Sequence, residues 1–282
     1  MTTATAYSPS HITGFFMIFP NGSTGAGISL EEGMTTTVTV KASNKPKTRI
    51  TINGGKPSAI TSKKVVQKYL QIVGKKHDIK VKHVTRVPIG YGLGVSGAGA
   101  LSLSIALNEA LKTGLAKSEV LEISKQAEIE AGTGLGDVVA EQFPGILVGL
   151  PPFPSMCGET IPSKKKFVVC GFFGPIKTKS VITNPVFKEN INSAGDYCMK
   201  KVLEKKTAQR FVWLSRFFTL SSTLATKEVL RVMERIPGTA QSMLGNTTFT
   251  LTDKPQEVKE RLAKYCDNIR VTKIASKGAH LL

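Results

Sequence analysis

The chain is short of acidic residues, of paired cysteines and of long apolar runs. Its 282 residues hold 20 Asp and Glu against 38 Lys and Arg, a formal net charge of +18. Four cysteines, Cys157, Cys170, Cys198 and Cys266, lie far apart with no C-x-x-C pair. That spacing excludes a zinc ribbon and a disulfide framework, and it suits a reducing, cytoplasmic setting. No apolar run approaches the ~18 residues of a spanning helix, so no membrane partner is expected. Met1 to Ser10 lacks the basic start and apolar core of a secretory signal. There is no internal repeat. The hydrophobic fraction, 41%, is that of an ordered globular chain. The length suits one large domain or two medium ones, with enough buried surface to fold without metal or disulfide.

The cationic excess implies an anionic partner: nucleic acid, a membrane surface or a phosphorylated small molecule. The basic residues, Lys41, Lys45 and Lys47 through Lys205 and Lys206 among them, are dispersed and without interleaved aromatics, which weighs against nucleic acid as the main partner.

Short β-branched, alternating segments predict strands at Tyr7–Phe19, Thr35–Val40, Thr48–Ile52 and Ile79–Thr85. Helices are expected over Lys63–Ile72, from Ser96 to Gly114, and from a cap at Ser118. The segment Gly149–Lys166, with Pro151, Pro152 and Pro154, reads as a linker. Beyond it come a strand from Phe167, helices around Ala194–Lys205, Ala208–Leu220, Lys227–Glu234 and Gln256–Cys266, and strands at Thr247–Leu251 and Asn268–Ile274. The fold class is α+β, with two lobes meeting near residue 155. Trp213 with Phe211, Phe217 and Phe218 reads as core, and His77, His83 and His280 as surface.

The chemistry concentrates in Pro88-Ile89-Gly90-Tyr91-Gly92-Leu93-Gly94-Val95-Ser96-Gly97-Ala98-Gly99. A strand runs into this segment and a helix runs out. Its glycines can adopt positive φ and approach a ligand closely, and the helix start offers unpaired N–H groups. Together they form a phosphate cradle. No Gly-Lys-Ser/Thr follows, so it is not a Walker loop, and Gly92 to Gly97 matches a dinucleotide fingerprint only in isolation.

Pro88-x-x-x-Gly92-Leu93-Gly94-Val95-Ser96-Gly97-Ala98 resembles the phosphate-binding motif of the GHMP kinases, with Val95 and Gly97 in place of the usual serine and alanine. Ser8-Pro9-Ser10-His11-Ile12-Thr13-Gly14 is similar to the family's first motif, and Ser242-Met243-Leu244-Gly245-Asn246-Thr247 to its third. His11 to Phe16, Gly25-Ala26-Gly27 and Gly134 to Ala140 resemble an archaeal branch that phosphorylates the primary hydroxyl of pantoate, on the route to coenzyme A. The resemblance implies a two-lobed fold: an N-terminal ribosomal-protein-like lobe over 1–155, a ferredoxin-like lobe over 156–282, and an active site in the cleft. It implies ATP and Mg²⁺ as cofactors and a small anionic hydroxy acid as substrate, with mevalonate, mevalonate phosphate or a similar hydroxy acid as the alternative to pantoate, and it leaves a homodimer open. Pro88, Gly90, Gly92, Leu93, Gly94, Val95, Ser96, Gly97, Ala98 and Gly99 would hold ATP.

Phosphoryl transfer to an alcohol needs a metal and a group that orients or deprotonates the hydroxyl. On the residues alone, Asp137 reads equally as that group or as the cap of a helix from Val138 to Phe143. The resemblance favours the catalytic role, beside Ser96. On the helix from Ser118, the stripe Val120, Ile123, Ala127 and Ala131 leaves Glu128 and Glu130 flanking it alike. The resemblance favours Glu128, with the Ser96 hydroxyl, as metal ligand. Candidate substrate groups are His11, Thr13, Ser23, Thr24, Arg86, Asp137, Met243, Gly245 and Asn246. His11 reads equally well as a structural histidine.

Overall fold

The computed structural model describes residues 1–134, 136–151, 157–176 and 184–282. The expected boundary at 155/156, the linker residues Pro152, Phe153 and Pro154, and Leu135 of the Asp137 loop lie outside the described residues.

One long hairpin organises the first half. β1 (Thr2–Phe19) and β2 (Gly22–Ala42) pair antiparallel from Thr2↔Val40 to Phe19↔Gly22. The glycine-dense stretch from Gly22 to Gly27 is part of β2. Its glycines are required by close approach across the pair: a Cβ at Gly27 would strike the His11 ring and the Ile12 carbonyl. β3 (Thr48–Ile52) runs parallel to β4 (His77–Thr85), and α1 (Ile60–Val73) makes the crossover between them. β5 (Ile146–Gly149) and β6 (Gly158–Ile161) extend β2, and β11 (His280–Leu281) borders β1. The path of the sheet is β11-β1-β2-β4-β3.

α1, α2 (Val95–Leu111) and α3 (Lys117–Ala131) cover one face of this sheet, burying Val38, Val81, Val65, Tyr69, Leu103 and Leu121 in one core. Alternation along β4 sends Ile79, Val81, His83 and Thr85 inward and Lys80, Lys82 and Val84 outward. His83, expected at the surface, is therefore buried. Thr36 bonds its Nδ1 at 2.7 Å and Ser62 its Nε2 at 3.1 Å. Burial pushes its pKa down to about 4, so the ring is neutral near pH 7.

The second sheet is β10 (Ile269–Lys273), β7 (Phe167–Gly174), β9 (Asn246–Thr252) and β8 (Thr239–Ser242), in that order. Its helices are α5 (Pro185–Glu204), α6 (Ala208–Ser221), α7 (Lys227–Arg235) and α8 (Pro255–Leu262). β1 ties the halves together. Phe15 meets Phe211 at 5.9 Å between ring centroids, Phe16 meets Phe218 at 5.7 Å, and Phe211 meets Phe249 at 6.2 Å. α6 buries Phe211, Leu214 and Phe218 at helical spacing, which turns Trp213 outward at 53% exposure, stacked on Phe217. Trp213 is thus not core. Nor does Ser118 cap α3: Ala116 holds that position, and Glu119 accepts its N–H at 2.8 Å.

No helix of the described residues is long and apolar enough to cross a membrane. No disulfide joins the described cysteines. Gly27→Ala should destabilise the fold by roughly 3 kcal/mol or more, since backbone and a buried ring must both move. A urea titration checks this, with a lower midpoint at unchanged slope as the expected outcome.

Candidate active site

The segment from Pro88 leaves β4 and enters α2. Gly90, Gly92 and Gly94 take φ of 88°, 76° and 63°, the left-handed region that glycine adopts without strain. Gly94 is the N-cap of α2 and supplies no side-chain cap, so the first-turn amides and the positive end of the helix dipole face outward. The loop is braced from outside. His11 N–H donates to the Leu93 carbonyl at 3.0 Å, and Ile176 N–H to Gly90 at 3.1 Å. Ser242 Oγ donates to the Gly92 carbonyl at 2.5 Å, and Thr247 Oγ1 to Tyr91 at 2.7 Å.

A cavity of about 380 Å³ opens on this loop. Gly90, Gly92, Leu93, Gly94, Val95 and Ser96 line one side; Met243, Leu244, Thr133, Thr13 and Asp137 are on the others. A second space of about 260 Å³ adjoins it through Ile89, Val95, Ser96 and Thr133, reaching Pro57–Ser62, His83 and Gly99. A small polar cavity of about 50 Å³ lies on the other side of Asp137, lined by His11, Thr13, Ser23, Thr24, Gly25 and Gly27 among others. Asp137 and Thr13 belong to both the loop cavity and the small one.

Asp137 is the first residue of the one-turn helix α4 (Asp137–Ala140), and Gly136 is the N-cap. The expected cap on a helix reaching Phe143 is absent, which leaves the carboxylate available. Its Oδ1 accepts from Thr13 Oγ1 at 3.3 Å and lies 3.8 Å from His11 Nδ1. His11 is buried, and its Nε2 has no partner.

The two glutamates left equal by periodicity are separated by the fold. Glu130 is exposed and paired with Lys64 at 3.2 Å and Lys68 at 2.7 Å. Glu128 is buried. Thr133 Oγ1 donates to its Oε1 at 3.2 Å, Ser96 is hydrogen-bonded to it, and Oε2 has no partner. The buried face of α3 is Val120, Leu121, Ser124, Ala127 and Glu128, rotated from the stripe read in the sequence. Ser124 is the reason: it fills the α2–α3 contact by donating to Ser104 Oγ at 2.8 Å.

Burial first, and then the Asp137 charge, raise the Glu128 carboxyl to about 7. A residue the sequence did not single out lies beside it. Glu141 is fully buried beneath the first turn of α2, with the Ala98 backbone N–H beside its carboxylate, and burial holds its carboxyl well above the usual range. A Cβ at Gly94 or Gly97 would come within 2.8–3.1 Å of its oxygens, so these glycines make room for Glu141 as well as for a ligand. The available signal was an acidic residue closing the apolar run Val138-Val139-Ala140.

Several candidates fall elsewhere. Arg86 is exposed and lines none of these cavities, because it takes the outward register after Thr85. Gly245 packs on Tyr91 and Gly92, and Asn246 Oδ1 accepts from Thr226 Oγ1 at 2.7 Å. Pro88, Gly97 and Ala98 support the loop without lining its cavity. Met243 lines the loop cavity and not the small one. Among the described residues no Lys or Arg lines the small cavity.

The GHMP kinases N-terminal domain matches residues 61–145, from the start of α1 past Glu141. The chain is 34% identical to the pantoate kinase of Methanocaldococcus jannaschii over 258 residues, covering 88% of this chain and 92% of that one. The chain belongs to the GHMP kinases. Another such kinase, the pantoate kinase of Methanospirillum hungatei, is 27% identical over 94% of this chain and 92% of its own. A solved structure described as a phosphotransferase related to the CoA biosynthesis pathway superposes with a TM-score of 0.85 at 21% identity, over 99% of this chain and 98% of that one. Its likeness carries the two-sheet GHMP kinase fold.

The buried carboxyls of this GHMP kinase give its stability a pH dependence. Glu128 binds a proton more tightly folded than unfolded, so its contribution to stability is fullest below about pH 4.5 and is lost as pH rises towards about 7. Without nucleotide, Glu128→Gln should raise Tm at pH 8 by roughly 3–8 °C and flatten that fall. Calorimetry at several pH values reads both effects.

Proposed function

We propose that this chain transfers the γ-phosphoryl group of ATP to the primary hydroxyl of pantoate, giving 4-phosphopantoate. The single observation that carries the proposal is the placing of Asp137 on the wall between the glycine-loop cavity and the small polar cavity. A carboxylate there reaches a hydroxyl on one side and a phosphate on the other, as an in-line displacement requires. The relatives named pantoate kinase support the choice of acceptor.

In this reading the triphosphate lies along Gly90–Ser96, its charge offset by the open amides at the start of α2. The adjoining space under Pro57–Ser62 takes the nucleoside. The unpartnered Oε2 of Glu128, beside the Ser96 hydroxyl, suits a hard divalent cation that prefers oxygen, and two protein ligands leave room for phosphate oxygens and water. Mg²⁺ held there neutralises phosphate charge. His11, Ser23 and Thr24 bind the hydroxy acid in the small cavity, and His11, whose Nε2 has no partner, is the group for its carboxylate. Thr13, bonded to Asp137, orients that carboxylate towards the acceptor hydroxyl, whose proton passes to Asp137. The enzyme is cytoplasmic, and the 1–155 and 156–282 lobes meet at the cleft that these cavities occupy.

Asp137→Ala should lower turnover by ~10²-fold or more while KM for ATP changes little. Ser96→Ala and Glu128→Ala should instead raise the magnesium concentration needed for half-maximal rate. ADP release across pantoate, mevalonate and homoserine identifies the acceptor. Turnover of mevalonate with none of pantoate overturns the assignment.

A further inference from the structure

The cationic excess is not spread evenly. Thirteen of the 38 Lys and Arg, and one of the 20 acidic residues, fall between Lys41 and Arg86. This stretch forms β3, α1 and β4, one edge of the first sheet. Its single acid, Asp78, accepts the backbone N–H of Lys47 at 2.7 Å.

Along this edge of the sheet, α1, α2 and α3 pack on one face. On the other face the strand register lines up polar side chains in rows. One row is Thr3, Thr39, Lys80 and Arg49; the next is Thr5, Thr37, Lys82 and Thr51. Neighbours across a row stand ~4.8 Å apart and the rows ~6.8 Å apart. Lys80, Lys82 and Arg49 are exposed, and no described ion pair includes them. Lys80 stands directly opposite Arg49, and like charges so placed destabilise a sheet. Lys41, Lys45, Lys47, Lys75 and Lys76 continue the charge at the sheet's end, all exposed.

We infer that this uncovered face is a docking surface for double-stranded nucleic acid, held through its phosphates without regard to sequence. The warrant is charge complementarity: a flat lattice of lysine, arginine and threonine donors, the groups that contact phosphate backbones, with one carboxylate among them, Asp78, opposite Lys41 and already holding the Lys47 N–H. A third row is Tyr7, Thr35 and Val84. Single strands are disfavoured, because the one aromatic of the three rows, Tyr7, has its hydroxyl on the Glu31 carbonyl and offers no stacking series. A lipid surface is disfavoured, because Val84 is the one large apolar side chain well exposed on these rows and forms no inserting face. A second copy is disfavoured by repulsion. The cavities described above lie on the helix-covered side, so this surface does not depend on the proposed reaction.

Fluorescence anisotropy with a short labelled DNA duplex tests the inference, with the salt varied from about 50 to 300 mM. Two variants of equal net charge are compared. Arg49→Glu/Lys80→Glu/Lys82→Glu changes the face, and Lys188→Glu/Lys227→Glu/Lys259→Glu changes exposed residues of the second half. The expected result is that the face variant loses at least ~10-fold in affinity near 100 mM salt and its salt slope falls by about 2.7, three contacts' worth. The control variant should bind within ~3-fold of the wild type, and ADP release should be unchanged in both. Equal losses in the two variants, no duplex binding by the wild type, or binding to phosphatidylserine vesicles in place of the duplex would each overturn it.

Discussion

Two backbones touch where Gly92 meets Gly245, and the site is built around that contact. A side chain on Gly92 would lie 2.6–2.9 Å from the Gly245 and Met243 backbone, and one on Gly245 would strike the Tyr91 carbonyl. Ser242 and Thr247 close the seam with hydrogen bonds to consecutive loop carbonyls. A glycine loop alone is too mobile to hold a triphosphate in line with an acceptor. The β8–β9 turn makes it rigid, while β1 delivers His11 and Thr13 to the same place.

Beneath the seam the electrostatics are deliberately unbalanced. Burial first, and then the neighbouring Asp137 charge, raise the proton affinity of Glu128 and Glu141, and no Lys or Arg is hydrogen-bonded to either among the described residues. Such a cluster destabilises the protein alone. In the proposed reading, a divalent cation placed there would gain more than it would in water, and the open end of α2 would face the anionic side of the same ligand. Stability is given up at the point where binding is needed, as active sites commonly do.

Much of this is legible in the sequence. The Gly90-to-Gly99 pattern between a strand and a helix marks the cradle, and the spacing of Asp137 after the α3 segment marks the carboxylate. What stayed hidden depends on partners distant along the chain. Glu128 could not be told from Glu130, because a polar residue, Ser124, turns the buried face of α3. His83 looked like surface as an isolated histidine, while Thr36 and Ser62, distant along the chain, satisfy its ring nitrogens in the core. Arg86 looked like a substrate ligand by proximity alone, while the pleat of β4 turns it outward. Glu141 is acidic in an apolar run, yet only the fold shows that it lies under Gly94 and Gly97. The gathering of charge between Lys41 and Arg86 was countable from the start, but the sheet register is what turns it into rows on one face.

The seam is the feature most open to direct test. Gly245 has no left-handed φ, so Gly245→Ala adds one methyl without backbone strain and pushes only on Tyr91 and Gly92. The decisive measurement is KM for ATP and for pantoate in this variant, with its fold checked by circular dichroism. The expected result is a rise of ~10-fold or more for ATP, with KM for pantoate within ~2-fold of wild type. A folded variant with unchanged KM for ATP would contradict the claim that this contact holds the phosphate loop in place.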